Sequence, residues 1–233
     1  MKILVTGGTG LVASELKKIV DPNKYFFASH AEMDITDADS VKRCFYEREP
    51  DLVLHLAALT DVMWGDRQKD LFYKVNVLGT RNIANCSDNL IYFSTEYIYD
   101  GKKGDYNEYD SPNPLNYYGL SKLLGEYEAR RAEKSIVIRT ALKPRPYKHD
   151  VVPAGMYSTG GYIDDMAKEF KLAIENFSLL PSTVHIGLEK KLIKDLAEET
   201  RKVKVVDINS FPVKLPLDSS LDTSLWRRIK KRL

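Results

Sequence analysis

Two tyrosine–lysine pairs in the chain have the i,i+4 spacing that puts side chains on one face of a helix: Tyr118 with Lys122, and Tyr99 with Lys103. With 14 tyrosines in a lysine-rich chain, chance gives roughly one or two such spacings, so spacing alone carries nothing. Context separates the two. Tyr99–Lys103 spans Asp100-Gly101, a turn signal, whereas Tyr118–Lys122 lies in a stretch, roughly Tyr117 to Lys134, that reads as helix. A phenol of pKa about 10 is a poor proton donor or acceptor at neutral pH. An ammonium about 4 Å away, at an effective dielectric of ~20, favours the phenolate by up to ~4 kcal/mol, or at most about three pKa units. The pair therefore predicts a general acid or base at Tyr118, tuned by Lys122. Thr95, just past the apolar run Leu90–Phe93, is placed to hydrogen-bond a carbonyl oxygen, although alone it would equally be a strand-end cap.

A second constellation lies near residue 7. The apolar run Lys2–Thr6 meets Gly7-Gly8-Thr9-Gly10-Leu11-Val12-Ala13, spaced G-x-x-G-x-x-A, and a helical pattern follows. Gly7 permits a tight turn, Gly10 lets a pyrophosphate approach the backbone, and Ala13 lets the helix pack on the strand. Strand, glycine turn and helix in that order supply the context a glycine motif requires. The second strand, Tyr25–Ala28, normally ends in an acid that binds the ribose 2′-hydroxyl of NAD. Here Ser29-His30 stand there and Glu32 comes later. The expected cofactor is therefore NADP or NAD, with NADP favoured.

These residues need a frame. Strand candidates at 2–6, 25–28, 52–56, 90–93 and 136–138 alternate with helical patterns at 11–20, 36–49, 68–85 and 117–134. That alternation predicts an α/β fold, a Rossmann-type doubly wound parallel sheet. Residues Lys143–Gly161 hold three prolines and three glycines, and the expected boundary falls there. Residues 1–142 form the NAD(P)-binding domain, and 143–233 a small α+β substrate-binding part with helices near 163–173 and 188–202 and strands near 183–187 and 204–206. The basic end, Trp226 to Arg232, reads as a solvated helix terminus. There are no internal repeats.

Composition excludes other classes. Lys plus Arg is 35 against 33 Asp plus Glu, a net charge of +2, which argues against nucleic acid or an anionic membrane as the main partner. Cys44 and Cys86 are the only cysteines and form no C-x-x-C pair, so neither a disulfide scaffold nor a cysteine zinc site is expected, and no metal. No apolar run reaches the ~18 residues of a membrane span. The expected location is the cytoplasm. His55, mid-strand, reads as a packed core histidine.

The segments TGGTGLVAS, MDITD, HLAA, VNVLGTRNIA, FSTEYIYDG, SPNPLNYYGLSK and IVIRT together resemble the extended short-chain dehydrogenase/reductases, most closely the dTDP-4-dehydrorhamnose reductase (RmlD-like) branch. GGYIDDMA and LPLDSSLDTS look like its later motifs. The resemblance implies a catalytic set of Thr95, Tyr118 and Lys122. It implies cofactor contacts from Gly7, Thr9, Gly10, Leu11 and Val12 at the pyrophosphate, and from Ser29, His30, Asp34 and Ile35 on the adenine side. Leu56, Ala57, Ala58 and Asn76 would line the cofactor, with Tyr118 and Lys122 at the nicotinamide ribose. It also implies a nucleotide-sugar substrate, with a homodimer as the assembly.

The sequence departs from the family between IVIRT and GGYIDDMA. Members there carry helices that cover the substrate, and this chain has only KPRPYKHDVVPAGMYSTG. Glu96, Arg145 and Lys148 are the expected substrate contacts. The leading reading is an NAD(P)-dependent reductase of a keto-sugar. An epimerase on the same scaffold is one alternative. Another is a non-catalytic dinucleotide-binding subunit of a partner enzyme, which the shortened region would suit.

Overall fold

The computed structural model describes residues 1–233. Five parallel strands and their crossovers come first: β1 (Ile3–Thr6), α1 (Leu11–Leu16), β2 (Tyr25–Phe27), α2 (Ala38–Arg48), β3 (Leu52–His55), α3 (Val62–Gly65), α4 (Lys69–Tyr73), α5 (Thr80–Cys86), β4 (Asn89–Thr95), α6 (Tyr117–Ala129) and β5 (Lys134–Thr140). Then follow β6 (Leu142–Lys143), β7 (Val151–Pro153), β8 (Tyr157–Ser158), β9 (Gly161–Tyr162), α7 (Ile163–Glu175), β10 (Thr183–His185), β11 (Lys191–Leu192), α8 (Ile193–Glu198), β12 (Lys204–Val206) and α9 (Ser224–Lys230). The main sheet runs β10-β5-β4-β3-β1-β2 and every pairing in it is parallel. This is the Rossmann-type doubly wound fold that the alternating pattern predicts.

The central strands are apolar without alternation because both faces are covered. Ile3, Val5, Leu52, Leu54, Ile91, Phe93, Ile136 and Ile138 face one layer with Leu16 of α1, Phe170 and Ile174 of α7 and Trp226 of α9. Leu4, Val53, Leu90, Tyr92 and Val137 face the other, with Val41, Cys44, Ile83 and Ala84. Burying each large apolar side chain contributes about 1.5–3 kcal/mol.

The boundary expected at residue 143 does not bound the sheet. β10 pairs with β5, Thr183 opposite Val137, and α7 supplies core to the first layer. Residues 1–142 therefore lack one strand and one covering helix of their own domain. What stands apart is a lobe built on short pairings, β8 with β11 and β7 with β12. Its own core is Tyr147, Val152, Met156, Tyr162, Ile193, Leu196 and Ala197.

Several element ends differ from their sequence-based bounds. The helix expected over 68–85 is interrupted by a π-helical stretch, Lys74–Gly79. The one expected over 188–202 is a two-residue strand followed by α8 alone. α6 ends at Ala129 rather than Lys134, because Lys134 already pairs with Asn89 in the sheet. Trp226 is buried and its indole N–H donates to Glu169, so the basic tail is anchored on one side and solvated on the other. No helix is long and apolar enough to cross a membrane.

Candidate active site

The carboxyl ends of β1, β3, β4 and β5 open onto one edge of the sheet, where ligands collect in doubly wound folds. At β1, Gly7 has φ +65° and a Cβ there would stand 2.9 Å from the Ala57 backbone, so only glycine fits. Gly10 is different. Its φ is −77°, open to any residue, and a Cβ would meet only the Gly7 carbonyl at 3.2 Å. Nothing in the fold itself strongly demands a glycine there. The first amide of α1 to find a backbone acceptor is that of Ser14, on the Gly10 carbonyl. The N–H groups of Leu11 and Val12 are left free, beside an exposed Thr9 and Leu11.

His55 fixes how β1 and β3 end. The Thr6 hydroxyl oxygen accepts from the amides of Leu56 and Ala57, so its own proton goes to His55 Nδ1, 2.7 Å away. Thr80 gives its proton to the Asn76 carbonyl, so it accepts from His55 Nε2 at 2.9 Å. This network sets the tautomer. Burial, with the Lys122 charge nearby, pulls the imidazole down to about 3, so it stays neutral, as a packed core histidine should. Ala58 lies in the same β3 exit loop. Asn76 anchors that loop further, accepting from Leu59 N–H and donating to the Leu59 carbonyl and to Ser121.

At the end of β2 the acid absent from the sequence position arrives through a turn. The Glu32 carboxylate accepts from the Ser29 amide at 2.8 Å and the Ser29 hydroxyl at 2.6 Å. His30 is exposed and its Nδ1 lies 3.9 Å from Asp34. Asp34 accepts from the amide and hydroxyl of Thr36, and Ile35 is buried against Gly79. The expectation of an acid-free β2 end is corrected.

Thr95 ends β4 beside the Tyr118 hydroxyl, and Lys122 follows one turn along α6, over Tyr92. Asn116 caps α6 by accepting from Gly119 N–H. A Cβ on Gly125 would stand 2.2 Å from the Tyr92 hydroxyl, so that glycine lets α6 lie on β4 and brings Lys122 down to it. Thr95 is buried and its Oγ1 accepts from Tyr97 N–H. It is a strand-end cap and also a neighbour of the Tyr118 hydroxyl, whose proton affinity it lowers. The expected tuning of Tyr118 by Lys122 is not what the geometry gives. Burial pushes the phenol up to about 12. The Lys122 nitrogen lies 4.1 Å over the Tyr92 ring, and burial pulls it down to about 7. Ser94 points away, donating to Glu126 at 2.5 Å.

The substrate contacts read from the sequence are displaced. Glu96 is fully buried, and its carboxylate accepts from Ser158 at 2.7 and 2.9 Å. It ties β4 to the small lobe and is out of a substrate's reach. Arg145 is spent on Asp164 at 2.8 Å and Asp165 at 2.6 Å while lying over the Tyr162 ring. Lys148 is exposed. The residue that sequence reasoning missed is Lys143 on β6, whose ammonium acts on both Glu96 and His149.

The family described as RmlD substrate binding domain matches residues 1–150. The chain belongs to that family. It is 33% identical over 149 residues to the dTDP-4-dehydrorhamnose reductase of Aggregatibacter actinomycetemcomitans, covering 60% of this chain and 51% of that one. It is also 33% identical over 144 residues to methionine adenosyltransferase 2 subunit beta of Danio rerio, covering 56% and 44%. The chain thus spans about half the length of the curated relatives it matches. As a fold, this RmlD-family member superposes on the Bacillus anthracis dTDP-4-dehydrorhamnose reductase in complex with NADP with a TM-score of 0.88 and 25% identity, over 98% of this chain and 93% of that one. The Clostridium acetobutylicum reductase gives 0.87 and 27%, over 99% and 93%. The Thermus thermophilus UDP-glucose 4-epimerase, at 18% identity and 0.74, shares the fold alone.

Proposed function

We propose that the protein is a short-chain dehydrogenase/reductase that reduces the keto group of a nucleotide-linked sugar with NADPH. What supports this reading is Thr95 at the end of β4 beside the Tyr118 hydroxyl, with Lys122 one turn along α6, on the same sheet edge as the glycine loop of β1.

The residues fit a dinucleotide. Gly10 keeps an ordinary backbone and a nearly open space where a side chain could stand, next to free amides. A diphosphate against that backbone accounts for the glycine. Gly7, Thr9, Gly10, Leu11 and Val12 would hold it, with Ser29, His30, Asp34 and Ile35 toward the adenosine. Leu56, Ala57, Ala58 and Asn76 would line the wall, and Lys122 would meet the nicotinamide ribose. When bound, the nicotinamide supplies the hydride that reduces the carbonyl carbon. Tyr118 is protonated throughout the physiological range and donates its proton to the carbonyl oxygen. Thr95 accepts from Tyr97 N–H, and its proton, directed at the Tyr118 hydroxyl, would turn to that oxygen when substrate binds. The Lys122 carbonyl accepts from the Tyr92 hydroxyl, but its side-chain nitrogen makes no hydrogen bond within the protein and is available to ribose hydroxyls. Glu32 on Ser29 favours NADH, whereas the NADP bound to the Bacillus anthracis relative supports NADPH, which we rank first.

The test is NADPH oxidation against a panel of nucleotide-linked keto-sugars, with cofactor affinity measured separately by calorimetry. Tyr118→Phe should lower turnover by about 10²–10⁴-fold and leave NADPH affinity nearly unchanged; full turnover in this variant removes Tyr118 from the mechanism. Gly10→Val should abolish NADPH binding while changing stability by less than about 1 kcal/mol. Equal affinity in variant and wild type excludes the glycine loop as the diphosphate site.

A second reading, a dinucleotide-binding subunit of a partner enzyme, takes support from the similarity to methionine adenosyltransferase 2 subunit beta. Tight NADPH binding without turnover on the whole panel, together with an altered activity of a co-purifying enzyme, decides for it.

A further inference from the structure

Most cations around the cleft are matched. Arg145, two residues beyond Lys143, is neutralised by Asp164 and Asp165. Lys190 meets Asp105 and Asp218 on the far side of the small lobe, and Arg139 meets Glu126 under the sheet. Lys143 is not. It is half-buried on β6, and its nitrogen has no hydrogen bond and no carboxylate at ion-pairing distance. The carboxylate facing it, Glu96, takes its hydrogen bonds from Ser158 instead. His149 also faces it, with Asp61 and Asp150 acting on that imidazole.

The position of this ammonium is set by register. Thr140 of β5 pairs with Thr95 of β4, and Lys143 follows Thr140 by three residues. That carries it past the end of β5 on the Thr95 side, where its charge acts on Glu96, the residue after Thr95. Tyr97, whose ring lies edge-on to Tyr118 at 6.0 Å, packs on the small-lobe core that carries the same wall. A half-buried cation with no partner costs free energy unless a ligand supplies the counter-charge.

Resting on the reductase reading above, we infer that Lys143 is a specificity-determining residue that binds a carboxylate carried by the sugar of the substrate, so that the preferred substrates are nucleotide-linked acidic sugars. Burial favours the neutral form of the neighbouring Glu96 and also pulls Lys143 down, so an incoming anion would supply the counter-charge that holds the ammonium. A diphosphate is the other oxyanion such a substrate carries, but it lies at the far end of a nucleotide-sugar from the reacting carbon.

The experiment uses the full chain saturated with NADPH and three probes: UDP-glucose, UDP-glucuronate, which differs by a C6 carboxylate, and free UDP. A charge-assisted contact predicts that wild type binds UDP-glucuronate roughly 10- to 100-fold more tightly than UDP-glucose. Lys143→Met should erase that difference, and Lys143→Arg should keep most of it. The inference is overturned if wild type shows no such preference, or if the preference survives in Lys143→Met. It is also overturned if Lys143→Met weakens all three probes equally, which would place the ammonium at the diphosphate. If wild type binds none of the probes, the substrate class is wrong. The NADPH titration in the same samples then shows whether the cofactor reading stands independently.

Discussion

Two acid–base pairs flank the carboxyl end of β4, and they are built in opposite ways. Glu126 and Arg139 lie beneath the sheet edge with side chains 3% and 6% exposed, joined at 2.8 and 3.0 Å. Ser94 donates to the same carboxylate, and Arg139 donates to the Tyr99 hydroxyl at 2.7 Å, which also lies against His185. Each charge in that group has its counter-charge and most of its hydrogen bonds. Glu96 and Lys143 lie above the edge. The two side chains face each other without forming an ion pair, and the Glu96 carboxyl is satisfied by a serine of the small lobe. The first pair is a closed structural unit that pins the 96–115 loop to β5 and β10. The second leaves the half-buried Lys143 without an ion pair. Satisfied buried charges hold a fold, and unsatisfied ones at a cleft mark where something else binds.

This contrast can be broken in three places. The largest effect belongs to Arg139→Met, which strands the buried Glu126 carboxylate with Ser94 alone. It should cost about 3–5 kcal/mol, read from urea unfolding. A loss under about 1 kcal/mol would mean that the pair is not the closed unit described.

The next effect is pH-dependent. Burial raises the Glu96 carboxyl to about 7 in the folded protein, against an ordinary value of 4.5. Between those values the folded state holds more protons than the unfolded one, so stability falls as pH rises through that window, by as much as about 3 kcal/mol. Glu96→Gln keeps an acceptor for Ser158 and should flatten this slope. Unfolding midpoints measured from pH 4 to 8 that fall equally in both proteins would remove Glu96 as the cause.

The smallest effect sharpens the comparison most. Lys143→Met makes the same chemical change as Arg139→Met, but removes a cation that the fold does not pair. It should cost less than about 1 kcal/mol in the ligand-free protein, in the same urea assay. A loss as large as that of Arg139→Met would show Lys143 to be structural.

Much of the frame is legible in the chain itself. The strand runs Ile3–Thr6, Leu52–His55 and Leu90–Phe93 are apolar without alternation because both faces are covered, and that pattern needs no tertiary information. The glycine loop is equally local. Gly7 adopts a backbone that other residues avoid, and the turn, strand and helix around it are neighbours in sequence. Tyr118 and Lys122 share a helix face because of helical spacing alone.

The tertiary structure decided what those residues meet. No local pattern shows that Thr183–His185 adds a sixth strand beside β5, because parallel pairing joins segments about forty residues apart through a crossover. Nor does it show that Glu96 turns inward to Ser158, that Glu32 reaches back to Ser29, or that Asp164 and Asp165 absorb the charge of Arg145. Lys122 sits over Tyr92 rather than tuning Tyr118, because Gly125 lets α6 settle on β4. Spacing sets which side chains share a face. Burial and the partners brought by distant segments set their charge, and charge decides which of them is free to act. Lys143 was passed over in the sequence for that reason: an unpaired cation is defined by the partners it lacks, and those are known only once the chain has folded.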